Sequence, residues 1–316
     1  MKAHILTITL NPTVDYATAT DAVEAGPKLR CAEPHIDPGG GGINVSRAIR
    51  LLGGQSTALV AIGGATGAHL LQLLALEGVA TVAFQGPGET RQSVSVTEDS
   101  SGQQYRFVMP GPSWGEEDVP RALTTVDQAT GDGTLVVLSG SQPPGVAKDF
   151  PSILSGHVAG RGARLIVDTS GPALFNLAEE PREALYVLRM DGEEGEELAG
   201  QPHPKPEDTA AFAENLVKKG VARHVIVARG ADGSVLSTAD GSWHAVSAPV
   251  DVVSAVGAGD SFVGAFTLAL AREWSVETCL QFGVAAAAAA VTTEATRLCD
   301  REVTEAMFAN CNVRAL

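Results

Sequence analysis

The 316-residue chain lacks the marks of several classes of protein. Its four cysteines show no CxxC spacing and its seven histidines form no HExxH pattern, so neither a disulfide framework nor a zinc site built by the protein is indicated. No apolar run is long enough to cross a bilayer, and the opening residues MKAHILTITLNPT predict a buried strand rather than a signal peptide. Together these absences predict a cytoplasmic protein with no membrane partner.

Positive charge is scarce as well. The chain carries 22 Lys and Arg residues against 37 Asp and Glu residues, which gives a formal net charge of −15. Such a surface repels a phosphodiester backbone, so we expect no nucleic-acid partner. A small anionic substrate remains compatible, because a few Arg and Lys residues can dominate one cleft. There is no GxxxxGK[ST] and no GxGxxG after a strand, so an enzyme of this sequence that uses ATP must bind it through another architecture.

Short runs rich in Val, Ile and Leu alternate with longer amphipathic segments along the chain. Near-continuous apolar strands that alternate with helices predict an α/β fold whose mainly parallel sheet is covered by helices on both faces. The predicted strands are Ile5–Thr9, Thr57–Ile62, Leu135–Ser139, Leu165–Asp168, Ala184–Leu188 and His224–Ala228. The predicted helices are Ile43–Leu52, His69–Glu77, Phe150–Ala159, Thr209–Lys219, Ser261–Arg272 and Cys279–Thr292.

A second kind of β-structure interrupts this rhythm. Arg91–Glu98 and Gln104–Met109 alternate polar and apolar residues on either side of a turn, which predicts a β-hairpin. Lys28–Ile36 also has an extended pattern. We expect a single domain, residues 1–316, with a small β-sheet lid formed by about 28–37 and 90–110. The alternation alone fits an ordinary surface hairpin equally well.

A glycine cluster precedes the predicted helix that begins at Ser261, in the stretch SAVGAGDSFVGAF. The amide groups of Gly257, Ala258 and Gly259 can converge at the N-terminus of that helix, where its dipole also favours negative charge. Such a site suits a phosphoryl group whose charge spreads over its oxygens during transfer. Asp260 can accept a proton there from an attacking hydroxyl. The alternative is that Asp260 only caps the helix after a flexible turn.

A second glycine cluster, PGGGGINVSRA, opens the helix predicted from Ile43. Its glycines, among them Gly40 and Gly41, allow a polyol to approach the backbone closely. Asn44 on the first turn can hydrogen-bond hydroxyl groups, together with Asp15 at the end of the first strand. A mobile loop is the alternative, but consecutive glycines that open a well-patterned helix favour a binding site.

Taken together, these two clusters resemble the signatures of the PfkB family of carbohydrate kinases, within the ribokinase-like superfamily. The resemblance extends nearly from end to end and is strongest at PGGGGINVSRA and VGAGDSFVGAF. It implies a three-layer α/β/α fold with a small β-sheet lid, and ATP as phosphoryl donor. It further implies that Asp260 is the catalytic base and that Gly257, Ala258 and Gly259 form the anion hole.

Within the family the chain is most similar to the 6-phosphofructokinases of PfkB type. The matching segments are TLNPTVDYAT (Thr9–Thr18), KLRCAEP (Lys28–Pro34), GGATGAHL (Gly63–Leu70), QYRFVMPG (Gln104–Gly111), SGSQPPGV (Ser139–Val146) and TRLC (Thr296–Cys299). The similarity implies that sugar hydroxyls are held by Asp15, Gly40, Gly41, Asn44 and Ser141.

The same similarity implies a site for the substrate's 6-phosphate. Arg91 in the hairpin and Arg30 in the extended segment, the latter across a dimer, would bind it. Arginine suits this task because its planar fork matches phosphate oxygens. A solvated surface charge is the favoured interpretation for either arginine alone, but less so for both within the matching segments. Lys28 resembles a phosphate-contacting lysine of the nucleotide side.

The nucleotide side departs from the family pattern. Arg189, Met190 and Asp191 stand where the family has Lys-Pro-Asn, and Glu194 stands at the family's glutamate. The resemblance implies that Arg189 and Asp191 meet the nucleotide and that Asp191 and Glu194 organise Mg²⁺, a cation that prefers oxygen ligands. An acidic surface loop is the alternative.

Three further positions lose or change a polar contact. Ala228, before Arg229 and Gly230, stands where the family has Ser or Thr; Ala255 replaces a Thr and Thr293 an Asn. Ala228 and Gly230 nevertheless align with nucleotide-binding positions. The lost contacts predict weaker ATP binding. They also weigh against the monovalent-cation site, such as one for K⁺, that some relatives have.

The leading hypothesis is an ATP-dependent kinase that phosphorylates fructose 6-phosphate at its C1 hydroxyl. Tagatose 6-phosphate and fructose 1-phosphate are alternative acceptors. An alternative of another class is a non-catalytic sensor of sugar phosphates with a degraded ATP site. Pairing of two lids across their exposed strand edges predicts a homodimer.

Overall fold

The structure, a computed structural model, describes residues 3–294 and 297–316. In chain order its strands are β1 (Ile5–Thr9), β2 (Thr13–Thr20), β3 (His35–Gly39), β4 (Thr57–Ile62), β5 (Ala80–Gln85), β6 (Arg91–Glu98), β7 (Gln104–Val108), β8 (Leu135–Ser139), β9 (Arg164–Asp168), β10 (Leu185–Met190), β11 (Ala222–Ala228), β12 (Ser234–Ser237), β13 (Ser242–Val246) and β14 (Asn312–Ala315). Its helices are α1 (Gly41–Leu51), α2 (Gly64–Leu76), α3 (Asp118–Ala129), α4 (Phe150–Gly160), α5 (Gly171–Glu179), α6 (Gly192–Ala199), α7 (Pro206–Lys218), α8 (Ala258–Ala271), α9 (Val276–Ala290) and α10 (Arg301–Asn310).

A large sheet runs in the order β14-β13-β12-β11-β10-β9-β8-β1-β4-β5. The strands from β5 to β11 pair in parallel, and β12, β13 and β14 extend the sheet antiparallel at one edge. Every residue of β1 and β8 is buried, as expected for strands in the middle of a covered parallel sheet. The prediction of a mainly parallel, three-layer fold is confirmed.

Helices cover both faces of the large sheet. Successive side chains of a strand point to opposite faces, and the neighbours Ile5 and Leu6 accordingly belong to different hydrophobic clusters. The cluster around Ile5 includes residues of α1, α8 and α9, and the cluster around Leu6 includes residues of α3, α4, α5 and α7. The sheet is therefore a rigid platform, and the carboxyl ends of its parallel strands share one edge.

The small sheet has the order β3-β2-β6-β7. β6 and β7 form the expected antiparallel hairpin, and β2, whose alternating pattern was not predicted as a strand, pairs in parallel with β6 over its whole length. In the extended segment only His35 and Ile36 belong to a strand, because β3 begins at His35 and residues 28–34 are exposed without regular structure. The small sheet therefore depends more on β2 than on the Lys28–Ile36 segment.

Several strands and helices were not predicted. β5 and β12 to β14 are missing from the predicted strands, and α3, α5, α6 and α10 from the predicted helices. Within the described part of the chain, no helix combines the length and the apolar character needed to span a membrane. Thr296, the first residue of the TRLC match, lies outside the described residues.

Candidate active site

The glycine cluster Gly257–Gly259 forms the N-terminus of α8. Gly257 is the N-cap residue with φ 77°, a left-handed conformation that favours glycine, and a Cβ there would lie 2.6 Å from Leu298 Cδ2. No side chain caps this helix, so the first-turn amides of Ala258 and Gly259 are not used by a capping group. They are therefore available to an anion, as the sequence predicts.

Asp260 lies on the first turn of α8, yet it does not cap the helix. Its Oδ2 accepts a hydrogen bond from Asn44 Nδ2 at 2.9 Å, which joins the two glycine clusters. Burial raises the pKa of Asp260 to about 6, and the nearby Asp168 carboxylate adds to the rise. The hydrogen bond from Asn44 and the charge of Arg189 oppose it. A carboxylate with this pKa is poised to take a proton near neutral pH.

An ion pair lies beside the anion hole. Arg189 Nη1 donates to Asp168 Oδ1 at 2.9 Å, and Ser139 Oγ donates to Asp168 Oδ2 at 3.2 Å. A Cβ added at Gly259 would lie 3.2 Å from Arg189 Nη1, so the guanidinium packs against the first turn of α8. Burial opposes the charge of Arg189, but Asp168 raises its pKa overall. The sequence did not single out Asp168 and Ser139 as a pair, although both end adjacent strands, β9 and β8.

A cavity of about 360 Å³ opens between the small sheet and the N-terminus of α8. It brings together six of the predicted residues with side chains of the small sheet that were not predicted. The predicted residues that line it are Asp15, Gly40, Asn44, Arg91, Gly257 and Asp260. The other lining residues include Thr13, Ser93, Ser95, Gln104 and Arg106.

Apart from Asp260, the charged residues that line this cavity lie on the small sheet. Arg91 Nε and Nη2 donate to the carbonyl oxygen of Asn11 at 3.3 and 3.2 Å, which fixes the guanidinium against the loop after β1. Burial lowers the pKa of Arg91 and raises that of Asp15, and the two side chains partly neutralise each other. Arg106, on β7, is a third charge near Asp15. Arg106 pairs with Ser95 in the β6–β7 hairpin, so its position could have been inferred from the predicted hairpin.

Asp15 was expected at the end of the first strand, and this placement is wrong. The residue lies inside β2, opposite Asp37 of β3, and so belongs to the small sheet. Its carboxylate therefore reaches the cavity from the lid side rather than from the large sheet.

Three residues predicted to bind the sugar phosphate and the predicted phosphate contact Lys28 are not among those that line this cavity. Gly41 packs against Ser139, and Ser141 is exposed and accepts a 3.3 Å hydrogen bond from Asn11 Nδ2. Lys28 and Arg30 lie in the exposed segment 28–34. Within one chain, therefore, the phosphate and hydroxyl contacts predicted for Lys28, Arg30 and Ser141 are not assembled.

The two predicted metal-organising carboxylates form a reciprocal capping box. Asp191 is the N-cap of α6; its Oδ1 accepts from Glu194 N at 2.9 Å, and Glu194 Oε2 accepts from Asp191 N at 2.8 Å. The alternative of a surface loop is wrong, because the segment begins a helix. Burial, together with the charges of Asp191 and Asp168, raises the pKa of Glu194.

These carboxylates fit a cation held through water better than one bound directly. Among residues 3–294 and 297–316, no group of three acidic, His or Cys side chains has the geometry of a metal cage. Asp191 and Glu194 each use one oxygen in the capping box and leave the other free of a protein donor in the described structure. Burial first, and then the charges of Asp191 and Asp168, raise the pKa of Glu194, and a Mg²⁺ ion would offset that negative charge.

The remaining nucleotide-side residues lie at the end of β11. Ala228 is its last residue, and Gly230, exposed with φ 60°, begins a short 3₁₀ turn. Between them Arg229 turns inward and donates from Nη1 to His203 O at 2.8 Å. Arg229 therefore stabilises the loop before α7 rather than facing a ligand, a role the sequence did not indicate.

A larger groove, about 730 Å³, lies elsewhere, between α5, α6 and α7. Its lining contains no residue of either glycine cluster and neither Asp260 nor Arg91. The larger groove is therefore not the candidate site. The smaller cavity is, because the predicted catalytic and binding residues converge there.

The fold and this site define a carbohydrate kinase, and the chain belongs to the pfkB family of carbohydrate kinases, whose model matches residues 8–303. The chain is 40% identical over 305 residues to the ATP-dependent 6-phosphofructokinase isozyme 2 of Escherichia coli (strain K12), covering 96% of this chain and 98% of the relative. It is similar to the crystal structure of phosphofructokinase-2 from Escherichia coli in complex with potassium, with a TM-score of 0.91, 40% identity, and coverage of 97% and 98%. A second crystal structure of that enzyme, in complex with fructose-6-phosphate, has a TM-score of 0.89 and 38% identity, with coverage of 97% and 98%. The predicted family membership is confirmed.

Proposed function

We propose that this protein transfers the γ-phosphoryl group of ATP to the C1 hydroxyl of fructose 6-phosphate. The observation that carries the proposal is the position of Asp260. Its carboxylate lines a cavity that holds arginine side chains, and it also lies on the first turn of α8, beside free backbone amides. One group therefore meets both the sugar site and the anion hole.

The acceptor site suits a phosphorylated sugar. Arg91 and Arg106 line the cavity and bring positive charge to a phosphate, and Arg30 of a second subunit completes the set. Asp15 and Asn44 bind the sugar hydroxyls, helped by the backbone at Gly40. Support for fructose 6-phosphate comes from the 40% identical relative named a 6-phosphofructokinase and from the similar structure in complex with that sugar phosphate.

In the reaction Asp260 accepts the proton of the C1 hydroxyl as the oxygen attacks. With its pKa raised to about 6, the carboxylate is mainly ionised at neutral pH and still close enough in basicity to share the proton. The amides of Gly257, Ala258 and Gly259 stabilise the charge that develops on the transferring group, with Arg189 packed behind Gly259. The small sheet closes over the sugar and keeps water from the phosphoryl donor.

ATP occupies the side of the cleft near Ala228 and Gly230. Asp191 and Glu194 would hold Mg²⁺ through water, where it would supply positive charge to the nucleotide phosphates. A monovalent cation such as K⁺ binds near Ala255, a proposal supported by the potassium complex of the similar enzyme. Lys28 reaches the nucleotide phosphates when the small sheet closes.

We further propose a cytoplasmic homodimer formed through the small sheets. The edge strand β7 exposes Phe107 and Val108, with 55% and 62% of their surface accessible. Pairing two such edges covers these side chains and the free backbone groups. It also carries Arg30 of one subunit to the sugar site of the other.

The test is a panel of acceptors. Purified protein receives Mg-ATP with fructose 6-phosphate, tagatose 6-phosphate, fructose 1-phosphate, fructose or ribose, and ADP release is measured. Fastest turnover of fructose 6-phosphate supports the proposal, whereas preference for another sugar phosphate reassigns the acceptor. Preference for an unphosphorylated sugar contradicts the roles of Arg91 and Arg30. Tight sugar-phosphate binding without ADP from any acceptor favours the sensor.

A further inference from the structure

Arg47 is a buried arginine outside the cavity lining, and its contacts converge on the base. It lies on α1 three residues after Asn44, so both side chains share one face of the helix. Arg47 Nη1 donates to Asn44 Oδ1 at 3.3 Å and to the carbonyl oxygen of Pro38 at 3.2 Å. Asn44 Nδ2 in turn donates to Asp260 Oδ2 at 2.9 Å. A continuous hydrogen-bonded chain therefore runs from Arg47 to Asp260.

The direction of this chain follows from what each group can do. A guanidinium only donates and an ionised carboxylate only accepts, whereas an asparagine amide has one accepting and one donating end. With Arg47 on one side and Asp260 on the other, the amide of Asn44 satisfies both groups in one orientation only. Without Arg47, the amide is free to turn its oxygen toward the carboxylate, which would destabilise the ionised base.

The remaining edges of the Arg47 guanidinium are also occupied. Nε donates to Glu77 Oε2 at 2.7 Å and Nη2 to Asp37 Oδ1 at 3.1 Å, and only 9% of the residue is exposed. Two carboxylates therefore compensate the buried charge, and the planar fork is held from three sides. A guanidinium held in this way does not reorient easily, so it can fix the orientation of the Asn44 amide.

One of these carboxylates belongs to the small sheet. Asp37 lies on β3 directly opposite Asp15, which lines the sugar cavity. Asp37, Arg47, Asn44 and Asp260 thus form one path from the small sheet to the N-terminus of α8. A change in the small sheet that moves Asp37 acts on Arg47 and, through Asn44, on the base.

We propose that Arg47 is a positioning residue that orients the amide of Asn44 toward Asp260 and links this contact to the small sheet through Asp37. The inference rests on the proposed role of Asp260 as the base. It does not depend on which sugar phosphate is the acceptor, because Arg47 touches the base through Asn44 and not the sugar cavity.

Arg47→Lys and Arg47→Met test the inference, with Glu77→Gln as the matched control. Lysine keeps the charge between Asp37 and Glu77, but its single ammonium cannot reproduce the fork. We expect kcat to fall about tenfold in Arg47→Lys and further in Arg47→Met, with KM for ATP within about twofold of the wild type. Glu77→Gln leaves the contact of Arg47 with Asn44 in place and retains kcat.

A second measurement is independent of turnover. The titration of Asp260 is followed by NMR of ¹³C-labelled aspartate carboxyls, with Asp260→Asn for assignment. The groups that face this carboxylate are Asp168, Arg189, Ser139 and Asn44, and of these the variants disturb only Asn44. Because the Asn44 hydrogen bond lowers the pKa of Asp260, its loss raises that pKa in Arg47→Lys and leaves it unchanged in Glu77→Gln.

The two measurements separate the inference from the proposed function. An Arg47→Lys protein with wild-type thermal stability, wild-type kcat and an unshifted Asp260 overturns the positioning role. A raised pKa of Asp260 in a protein that transfers no phosphoryl group supports the positioning role and rejects the kinase. If Arg47→Met does not fold, Arg47→Lys carries the test alone.

Discussion

The two sides of the cleft are built differently. On the sugar side, Asp15, Asn44, Arg91 and Asp260 converge on one cavity within a single chain. On the nucleotide side, the corresponding candidates have structural partners: Asp191 and Glu194 cap α6, and Arg189 pairs with Asp168. Asn44 and Arg91 also have protein partners, but both line the cavity. The nucleotide-side candidates Arg189, Asp191 and Glu194 do not line it.

The difference between the sugar side and the nucleotide side corresponds to a difference in how well the sequence keeps the family pattern. The sugar-side signature PGGGGINVSRA keeps its glycines and its asparagine, and these position α1 against the cavity. The nucleotide side carries the departures Arg189, Asp191 and Ala228. We therefore expect substitutions at the sugar side and the base to have larger effects than substitutions at the nucleotide side.

The largest effect is expected at the base that joins the two sides. Asp260→Asn keeps the shape and the contact with Asn44 but cannot accept a proton. We expect kcat to fall by about 10²–10⁴-fold, while fructose 6-phosphate still binds. ADP release and isothermal titration calorimetry measure the two properties separately.

The same variant has a second signature, in stability. The folded-state pKa of Asp260 lies above the unfolded value of 3.8, so its ionised form destabilises the fold progressively as pH rises from 4 to 6 and remains a cost above that. At pH 8, Asp260→Asn therefore stabilises the protein by about 3 kcal/mol. A lower melting temperature together with unchanged kcat would show that Asp260 is structural.

Arg91 gives the next largest effect, confined to the sugar side. Arg91→Met removes a charged fork from the cavity, and we expect KM for fructose 6-phosphate to rise about 10- to 100-fold with KM for ATP unchanged. Steady-state kinetics with each substrate varied measures the split. Arg161→Met, which alters a distant half-exposed arginine, serves as the control. An equal rise in both KM values contradicts a phosphate role for Arg91.

Glu194 tests the nucleotide side. Glu194→Gln retains an oxygen for the capping box but removes the charge near Asp191 and Asp168, so we expect unchanged thermal stability and about a tenfold higher Mg²⁺ requirement. The requirement is measured by titrating Mg²⁺ at fixed ATP. Glu193→Gln, on the same turn, is the matched control. An unchanged Mg²⁺ requirement in Glu194→Gln leaves these residues with a capping role alone.

The smallest effect is a gain. Ala228→Ser restores a hydroxyl at the end of β11, where the family has Ser or Thr, and we expect KM for ATP to fall about 2- to 10-fold. Ala231→Ser, in the exposed turn that follows, controls for a general effect of serine. Initial rates at varied ATP provide the measurement. If KM for ATP is unchanged, the departure at Ala228 is not a cause of weak nucleotide binding.

Much of the fold could be predicted from local patterns. The strands Ile5–Thr9, Thr57–Ile62 and Leu135–Ser139 have the predicted bounds, because buried parallel strands are continuous apolar runs. β2 was missed because its alternating residues follow β1 after a short loop and its partner β6 lies about seventy residues further along the chain. Pairing over that distance is not encoded in either segment alone.

The site residues also divide into those that local sequence patterns predict and those that depend on contacts between distant segments. Asn44 and Asp260 were predicted from glycine-rich helix starts, which are local features. Asp168 was not, because its contact with Arg189 depends on the neighbouring positions of β9 and β10. The capping box of α6 was within reach of the sequence, since Asp191 and Glu194 have the spacing of that motif.

The most direct test is a crystal structure of the protein with fructose 6-phosphate bound. The account predicts that the C1 hydroxyl oxygen lies about 3 Å from the Asp260 carboxylate, with the 6-phosphate on Arg91 and Arg106. A sugar whose phosphate lies at the N-terminus of α8, with its C1 hydroxyl far from Asp260, would contradict it.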